Sequence, residues 1–416
     1  MKKTSVLVAL FLATAYGAQA QTPGGGGQAY VVRFHEAAVP QVKPGSVRDD
    51  RVAQDPDAWG HVGERVIGHV QALERRYGVR AQAAFGHVFK GMSVRLNSAQ
   101  LAQLQRDPSV AAIEVEQGYS IVARPTKGGS GGTTTSSQSI PWGVSKTGAT
   151  LSYALAGNGA GSVSGVRTYV IDTGIDTKNT DLASAGLVNF AGDRKNTDCN
   201  GHGTHVAGTM AARDNTAAVV GVAPGASTYG VKVLGCDGSG TTTSVLKGID
   251  WVAANAIKPA VANMSLGGGA SQMLDDAVRA AAAKGIVFTI AAGNSAVNAC
   301  TTSPARIGGG STPGVLTVAA TDLNDQEASF SNYGSCVDIW APGVNIPSLK
   351  VGGGVVSLSG TSMAAPHVGG AAALYLGRYP AATATSVVDT LKGMAVGTGT
   401  SSKDGRTITR LNASIQ

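Results

Sequence analysis

The sequence predicts an α/β protein: a larger C-terminal part built on a mainly parallel sheet, with a small α+β unit in front of it. From residue 165 onward, strand-type and helix-type segments alternate, which is typical of βαβ units with helices covering both faces of the sheet. The first part has only a few strands and helices of its own. Between the two parts, residues 124–139 contain almost no apolar side chains, which indicates a flexible linker.

The first twenty residues are typical of an export signal. Lys2 and Lys3 precede the short apolar run "VLVALFLATA", and Ala18-Gln19-Ala20 provides an A-x-A cleavage site. The run is too short to span a bilayer, and no later segment is long enough. We therefore expect residues 1–20 to be a signal peptide and the protein to be secreted; a buried N-terminal helix is the alternative.

The small unit, residues 21–123, opens after a glycine spacer with the alternating strand "AYVVRF". A helix with apolar residues at helical spacing follows and ends at Gly78. "VFKGMSVRL" predicts a strand, Asn97 and Ser98 are possible caps of a second helix, and "AAIEVEQGYSIVA" predicts the closing strand. The stretch from Val42 to Gly63 is expected to be a surface loop.

Composition limits the possible functions. The net charge is +7 and charged residues make up 14% of the chain, with Lys and Arg scattered rather than clustered. This charge indicates a solvated surface rather than a nucleic-acid site. In an exported chain, the four cysteines predict disulfides, and sequence alone leaves all three pairings open. The cysteines, which lack the C-x-x-C spacing of a zinc site, are Cys199, Cys236, Cys300 and Cys336.

Polar residues follow two predicted strands of the larger part. Asp172 ends the strand of "YVIDTGID", and Asn294 ends that of "IVFTIAAGN". Functional groups gather at the carboxyl ends of strands in such sheets. The Asp-Thr-Gly turn also occurs in aspartic proteases, but that fold is all-β and needs a second such turn, which this sequence lacks. A plain strand-ending turn is the third interpretation.

Two further segments supply partners for Asp172. "CNGHGTHVAGT" places His202 at a helix start, and "SGTSMAAPHV" places Ser362 at the start of an apolar helix. A serine hydroxyl becomes a nucleophile when a histidine takes its proton, and a carboxylate orients that histidine. The Ser362 N–H and the Asn294 amide are candidate donors to the resulting oxyanion.

Each of these residues also has a structural interpretation. Ser362 alone is more often a helix cap, His202 a helix-start histidine, and Asn294 a turn residue. His202 and His205 have the spacing of metal ligands, but no glutamate or third ligand is near them in sequence. We favour the catalytic interpretation because all the required groups occur together.

The motifs "YVIDTGID", "GHGTHVAGT", "AAGN" and "SGTSMAAPHV" resemble those of subtilisin-like serine proteases, in the same order. The resemblance runs from about Pro141 to Asn412, and "PWGVSKTGA" and "SFSNYGSCVDIWAPG" are similar to the proteinase K and aqualysin branch. It implies a subtilisin-like three-layer catalytic domain over residues 140–416. Asp172, His202 and Ser362 would be the catalytic triad, Asn294 the oxyanion donor, and His205 structural.

The resemblance also implies roles for other residues. Substrate would lie between an edge segment and the S1 wall; these comprise Gly238, Ser239, Gly240, Ser265, Leu266, Gly267 and Gly268. Structural calcium would be held by the carbonyls of Pro313 and Val315 and by Asp338. The aqualysin type pairs Cys199 with Cys236 and Cys300 with Cys336.

The first unit resembles the inhibitor propeptide of these proteases, an α+β ferredoxin-like domain. The resemblance implies a monomeric, secreted, broad-specificity serine endopeptidase that acts on proteins and peptides, with an apolar or aromatic residue before the cleaved bond. It would be made as a zymogen that cuts itself after Ala123 and is inhibited by its own propeptide. We expect neither nucleic-acid nor membrane binding. The alternatives are a permanent accessory domain, an inactive binding or chaperone protein of the same fold, and an esterase, although the G-x-S-x-G turn of esterases is missing.

Overall fold

The structure, a computed structural model, describes residues 27–125 and 137–416. The predicted signal peptide lies outside the described residues, as does most of the predicted linker. We refer to residues 27–121 as the N-terminal domain and to residues 137–416 as the C-terminal domain.

The N-terminal domain is a β-α-β-β-α-β unit with a four-stranded antiparallel sheet in the order β2-β3-β1-β4, as the resemblance to a ferredoxin-like domain implied. The second strand, β2, was not predicted from the residues. Its strands are β1 (Gln28–Phe34), β2 (Ala81–Phe85), β3 (Gly91–Leu96), β4 (Val110–Val115) and β5 (Gly118–Ile121). Its helices are α1 (Asp50–Gln54), α2 (Glu64–Tyr77) and α3 (Ser98–Leu104). The short strand β6 (Arg124–Pro125) follows it.

The predicted helix ends of this domain are confirmed by their capping geometry. Helix α2 ends at Gly78, whose φ of 60° is the left-handed conformation that glycine adopts at low cost. Helix α3 begins at Asn97, whose side chain accepts from the Gln100 N–H while the Gln100 side chain accepts from the Asn97 N–H. These two reciprocal bonds form a capping box, which fixes the start of the helix.

The expectation of a surface loop from Val42 to Gly63 is wrong for its second half. That half contains α1 and a single π-helical turn, Pro56–Gly60. Ala58 and Trp59 are buried in the same apolar cluster as residues of the C-terminal domain. The apolar side chains of this insertion therefore belong to a contact between the two domains.

The C-terminal domain contains six helices and the remaining strands described by the structure. The helices are α4 (Trp142–Lys146), α5 (His202–Ala211), α6 (Thr242–Asn255), α7 (Gln272–Ala282), α8 (Thr361–Arg378) and α9 (Ala384–Met394). The strands are β7 (Arg167–Asp172), β8 (Ser184–Asn189), β9 (Ser227–Lys232), β10 (Ser239–Thr241), β11 (Ala260–Met264), β12 (Leu266–Gly268), β13 (Ile286–Ala291), β14 (Val315–Thr321), β15 (Ile339–Pro342), β16 (Ile346–Leu349), β17 (Val355–Ser359), β18 (Val396–Ser401) and β19 (Thr407–Arg410).

A nine-stranded sheet forms the middle layer, in the order β18-β19-β15-β14-β13-β11-β7-β9-β8. All neighbouring pairs are parallel except β18 with β19. Along β11, Ala260 and Ala262 pack in the cluster that contains α6 and α7, while Val261 packs with α8. Alternate residues thus face opposite helical layers, which confirms the predicted three-layer α/β architecture.

The two domains share one apolar core. Trp59 and Phe85 of the N-terminal domain lie in one buried cluster with Leu246 and Ile249 of α6 and Met273 of α7. Strand β5 leaves the N-terminal domain and pairs with β10 and β12, and β6 pairs with β17. The chain therefore enters the C-terminal domain as an added strand at the carboxyl edge of the large sheet. No helix within the described residues is both long and apolar enough to cross a lipid bilayer.

Candidate active site

Asp172 and His202 form a buried pair at the carboxyl edge of the nine-stranded sheet. Asp172 is the last residue of β7, and His202 is the first residue of α5. His202 Nδ1 lies 2.7 Å from Asp172 Oδ1, and the two side chains are 1% and 0% exposed. The Thr173 N–H donates to the same carboxylate oxygen at 2.7 Å. The carboxylate thereby orients the ring and leaves Nε2 as the nitrogen free to react.

Asp198 holds the segment that carries His202, a role that the sequence analysis missed. Its Oδ1 accepts from the N–H groups of Asn200 at 3.0 Å and Gly201 at 2.8 Å, and its Oδ2 accepts from the Thr204 N–H at 2.9 Å. A carboxylate in this place accepts hydrogen bonds from backbone N–H groups at the start of α5, and its negative charge interacts favourably with the dipole of that helix. An acidic residue just before a predicted helix start was the available signal.

The same carboxylate also joins the His202 segment to the end of β7. Thr173 Oγ1 donates to Asp198 Oδ1 at 3.0 Å and accepts from the Gly203 N–H at 2.9 Å. A Cβ atom at position 203 would lie 2.0 Å from the Gly174 carbonyl oxygen, so only glycine fits there. This close approach sets the distance between Asp172 and the helix of the histidine.

Ser362 and Asn294 converge on the carbonyl oxygen of Val122. The Asn294 Nδ2 donates to it at 2.5 Å, and the Ser362 N–H donates at 3.4 Å. The Asn294 Oδ1 accepts from both the N–H and the Oγ1 of Thr361 at 2.9 Å, which fixes the amide with its nitrogen toward Val122. Two fixed donors on one carbonyl oxygen constitute the geometry of an oxyanion hole.

The Ser362 hydroxyl is buried and donates to the Ser265 carbonyl at 3.0 Å. Within residues 27–125 and 137–416, His202 Nε2 has no hydrogen-bond partner. The hydroxyl must therefore rotate away from Ser265 before the histidine can accept its proton.

Strand β5 occupies the cleft as a substrate strand would. It lies antiparallel between β10 and β12, with Ser120 opposite Ser239 on one side and Gly267 on the other. Every residue predicted to contact substrate lies in these two edges or next to them. Backbone pairing on both sides gives affinity without a strict side-chain requirement.

Beyond β5, two more backbone bonds lead the chain to the oxyanion donors. The Ile121 N–H donates to the Gly238 carbonyl at 3.0 Å, and the Val122 N–H donates to the Ser265 carbonyl at 3.4 Å. Tyr119 as a whole residue is 2% exposed. These contacts orient the bond between Val122 and the next residue, Ala123.

The chain continues past the oxyanion donors without a break up to Pro125. Ala123 lines a cavity of about 410 Å³ together with His202 and Leu358. A Cβ atom at Gly360 would lie 2.4 Å from the Val122 oxygen and 3.1 Å from the Ala123 Cα. The peptide bond between Val122 and Ala123 thus lies between the histidine and the serine.

His205 and His367 are structural. Burial lowers the pKa of His205 to about 3 and that of His367 to about 4. The His205 Nε2 lies 2.9 Å from the Ile346 carbonyl, and His367 Nδ1 lies 2.8 Å from the Met363 carbonyl. His202 Nδ1 bonds the Asp172 carboxylate and His205 Nε2 bonds the Ile346 carbonyl, so one nitrogen of each ring already has its own oxygen partner.

Both predicted disulfides are confirmed. Cys199 is bonded to Cys236, with Cα atoms 4.9 Å apart, and Cys300 is bonded to Cys336, with Cα atoms 5.3 Å apart. The first joins the segment before His202 to the segment before β10.

The residues expected to hold calcium do not fit that ion. The side chain of Asp338 is buried, and its two oxygens already accept four bonds from nitrogen. The donors are the N–H groups of Gly309, Gly310 and Thr317 and the ammonium group of Lys392. Calcium requires free oxygen lone pairs, so the assignment of Pro313, Val315 and Asp338 as its ligands is not supported.

Comparison with known proteins agrees with this geometry. A family model described as the subtilase family matches residues 164–409, and one described as peptidase inhibitor I9 matches residues 29–121. A solved structure described as a cold adapted subtilisin-like serine proteinase is 43% identical, with a TM-score of 0.58, covering 65% of this chain and 97% of that one.

Three curated relatives cover most of the chain. The extracellular serine proteinase of Thermus sp. (strain Rt41A) is 40% identical over 76% of this chain and 73% of its own length. Subtilisin DY of Bacillus licheniformis is 42% identical over 67% of this chain and all of its own length. The alkaline serine exoprotease A of Vibrio alginolyticus is 41% identical over 74% of this chain, which spans 55% of that relative. The chain belongs to the subtilase family of serine peptidases and carries a peptidase inhibitor I9 domain in front of its peptidase domain.

Proposed function

We propose that the protein is a secreted serine endopeptidase, made as a zymogen whose first substrate is its own chain. The observation that carries the proposal is the Val122 carbonyl, which accepts bonds from Asn294 Nδ2 at 2.5 Å and from the Ser362 N–H at 3.4 Å. These donors are the two that the motifs predicted for the oxyanion. The predicted signal peptide and the extracellular relative support secretion.

The reaction would proceed through an acyl-enzyme on Ser362. As Ser362 Oγ attacks the Val122 carbonyl carbon, its proton passes to His202 Nε2, and Asp172 stabilises the resulting imidazolium. The carbonyl oxygen becomes an oxyanion held by Asn294 and the Ser362 N–H. The bond to Ala123 then breaks as His202 returns the proton to the leaving amine. Water, activated by the same histidine, hydrolyses the ester.

The register supports cleavage after Val122, one residue earlier than the motif comparison suggested. Val122, rather than Ala123, presents its carbonyl to the oxyanion donors. Ala123 would then be the new N-terminus, and the polar stretch after it would stay attached to the peptidase domain.

Protein and peptide substrates would bind as β5 does, extended between β10 and β12. The recognition is mostly through backbone groups, which favours broad specificity on unfolded chains. Val122 is apolar and Tyr119 is buried in the cleft, so we expect apolar side chains before the cleaved bond and an aromatic side chain three residues earlier.

The N-terminal domain would remain bound as an inhibitor after cleavage. Its last strand fills the cleft, and its sheet shares an apolar core with α6 and α7. Subtilases generally bind structural calcium. Calcium here would have to bind at a site other than the Asp338 carboxylate.

Ser362→Ala tests the proposal. The full-length variant should fold, remain uncleaved and leave casein undigested, with activity lower by several orders of magnitude. N-terminal sequencing of the active protein should find Ala123 as the first new N-terminus. A folded Ser362→Ala protein that digests casein would overturn the proposed mechanism. A first cut elsewhere would reject the Val122 register but not the activity.

A further inference from the structure

Asp338 lies just before β15, at the amino end of that strand, whereas the cleft lies at the carboxyl edge of the sheet. Its side chain is fully buried. Oδ1 accepts from the Gly310 N–H at 2.9 Å and from Lys392 Nζ at 3.0 Å. Oδ2 accepts from the Gly309 N–H at 2.9 Å and from the Thr317 N–H at 3.0 Å. A carboxylate has about four lone-pair positions, so these four donors saturate it.

The local sequence builds this donor set. Gly309 and Gly310 have φ angles of 68° and 75°, which turn their N–H groups inward and suit glycine. A Cβ atom at Gly309 would lie 2.2 Å from the Ser335 carbonyl oxygen, so glycine is required there. The three consecutive glycines at 308–310 therefore form a loop that wraps the carboxylate.

Lys392 supplies the one formal positive charge among the four donors. It lies in the last turn of α9, where a cation is also favoured by the helix dipole. The Lys392 side chain is 36% exposed and the Asp338 side chain is 0% exposed, so the lysine side chain extends from the surface to a buried carboxylate. A buried carboxylate is costly unless a cation and hydrogen bonds compensate it.

A calcium ion and this donor set exclude each other. Calcium binds carboxylate oxygens at about 2.3–2.6 Å through lone pairs directed at the metal. Here N–H groups occupy those directions, and an ammonium group lies 3.0 Å from Oδ1, where it would repel a second cation.

We propose that the ammonium of Lys392 is the permanent cation of this site and replaces calcium as the ion that compensates Asp338. The ion pair between Lys392 and Asp338 connects α9 to the residue just before β15 and, through the carboxylate, to the glycine loop. The stability that this site contributes is therefore independent of calcium concentration.

The test uses full-length protein with Ser362→Ala, which removes self-digestion. Melting temperature is measured in excess chelator and in millimolar calcium for the parent, Lys392→Gln, Lys392→Arg and Asp338→Asn. We expect Lys392→Gln to lower the melting temperature by about 3 °C or more in both buffers, and Lys392→Arg to lower it much less. The calcium-induced shift and the number of bound calcium ions should be equal in the parent and Asp338→Asn.

Two results would overturn the proposal. One is a calcium-induced shift, or one bound calcium ion, that is present in the parent and lost in Asp338→Asn. The other is an unchanged melting temperature of Lys392→Gln in chelator. If Asp338→Asn does not fold, the melting temperatures of Lys392→Gln and Lys392→Arg in chelator still test the proposal. Equal melting temperatures of these two variants would then contradict it.

Discussion

Asn294 has a different partner at each end of its side-chain amide. Thr361 donates twice to Oδ1, and Nδ2 donates to the Val122 carbonyl. In the proposed mechanism the first contact positions the side chain, while the second stabilises the negative charge of the oxyanion. The two functions can therefore be separated by changing one atom.

Asn294→Asp makes that change. The variant keeps an oxygen for Thr361 but replaces the Nδ2 donor with a second acceptor. We expect kcat on a peptide substrate to fall by about 10²–10³-fold or more, with little change in KM, because the donor acts mainly in the transition state. Steady-state kinetics provide the measurement. A kcat within threefold of that of the parent would show that Asn294 is not an oxyanion donor.

The positions of individual site residues were predictable where a sequence motif contains the residue types that a known chemistry requires. Asp172, His202, Ser362 and Asn294 all lie where the segments suggested, at strand ends and helix starts. Asp198 was missed because the only signal was an acidic residue just before the start of α5, and the backbone N–H and threonine hydroxyl groups that it accepts from form no recognisable motif. The motif comparison suggested a cut after Ala123, whereas the carbonyl next to Asn294 Nδ2 and the Ser362 N–H is that of Val122. Local sequence does not give this register, because it depends on pairing with β10 and β12, more than a hundred residues away.

At the scale of elements, α6 holds the N-terminal domain through one buried carboxylate. Asp250 accepts from the N–H groups of residues 86–88 at 2.7–3.3 Å and lies 3.1 Å from His61 Nε2. Burial alone would raise the pKa of Asp250, but the His61 bond and the three N–H groups outweigh it and lower the pKa. The carboxylate therefore stabilises the docked state above its ordinary pKa, and this stabilisation is lost as the pH falls through the lowered pKa.

Asp250→Asn should weaken the hold of the cleaved N-terminal domain. Hydrogen bonds to a charged group contribute about 1.5–3 kcal/mol, so we expect release about 10–100-fold faster at neutral pH. The measurement is the lag between cleavage, seen on a gel, and full activity on a fluorogenic peptide.

Asp276→Asn is the matched control for Asp250→Asn. Asp276 also crosses the interface, to Arg33, but this pair is 28% and 40% exposed and should contribute little. An unchanged lag in Asp250→Asn, or an equal shortening in both variants, would contradict the role of the buried carboxylate.

The elements themselves were largely predictable, but their docking was not. Helix α2 follows from its apolar periodicity and from Gly78 at its end, and β7 and β13 follow from the apolar runs before Asp172 and Asn294. The sequence of the insertion that contains Trp59 predicts a polar loop, because its apolar residues are few and irregularly spaced. They are buried in a cluster that joins strands of their own domain to α6, and these long-range contacts are not contained in the local sequence.

At the scale of the whole molecule, the two disulfides join different pairs of segments. Cys199 lies three residues before His202, and Cys236 lies three residues before β10, so this bridge links the segment of the proposed catalytic histidine to the strand that pairs with β5. The second bridge joins Cys300 to Cys336, two residues before Asp338. Their sequence separations are 37 and 36, so the chain-entropy model gives them equal effects on stability.

Replacing each pair of cysteines with alanine separates stability from catalysis. Either double variant should lose roughly 3–4 kcal/mol of unfolding free energy, because its unfolded chain is no longer constrained by a closed loop. Denaturant unfolding in the Ser362→Ala background measures this loss without self-digestion. In the active protein, only loss of the Cys199–Cys236 bridge should also lower kcat/KM, since of the two bridges only this one joins the histidine segment to the segment before β10. The Cys300–Cys336 variant is its control, with matched loop length. Equal kcat/KM values in the two variants would show that β10 and the histidine segment hold their places without the bridge.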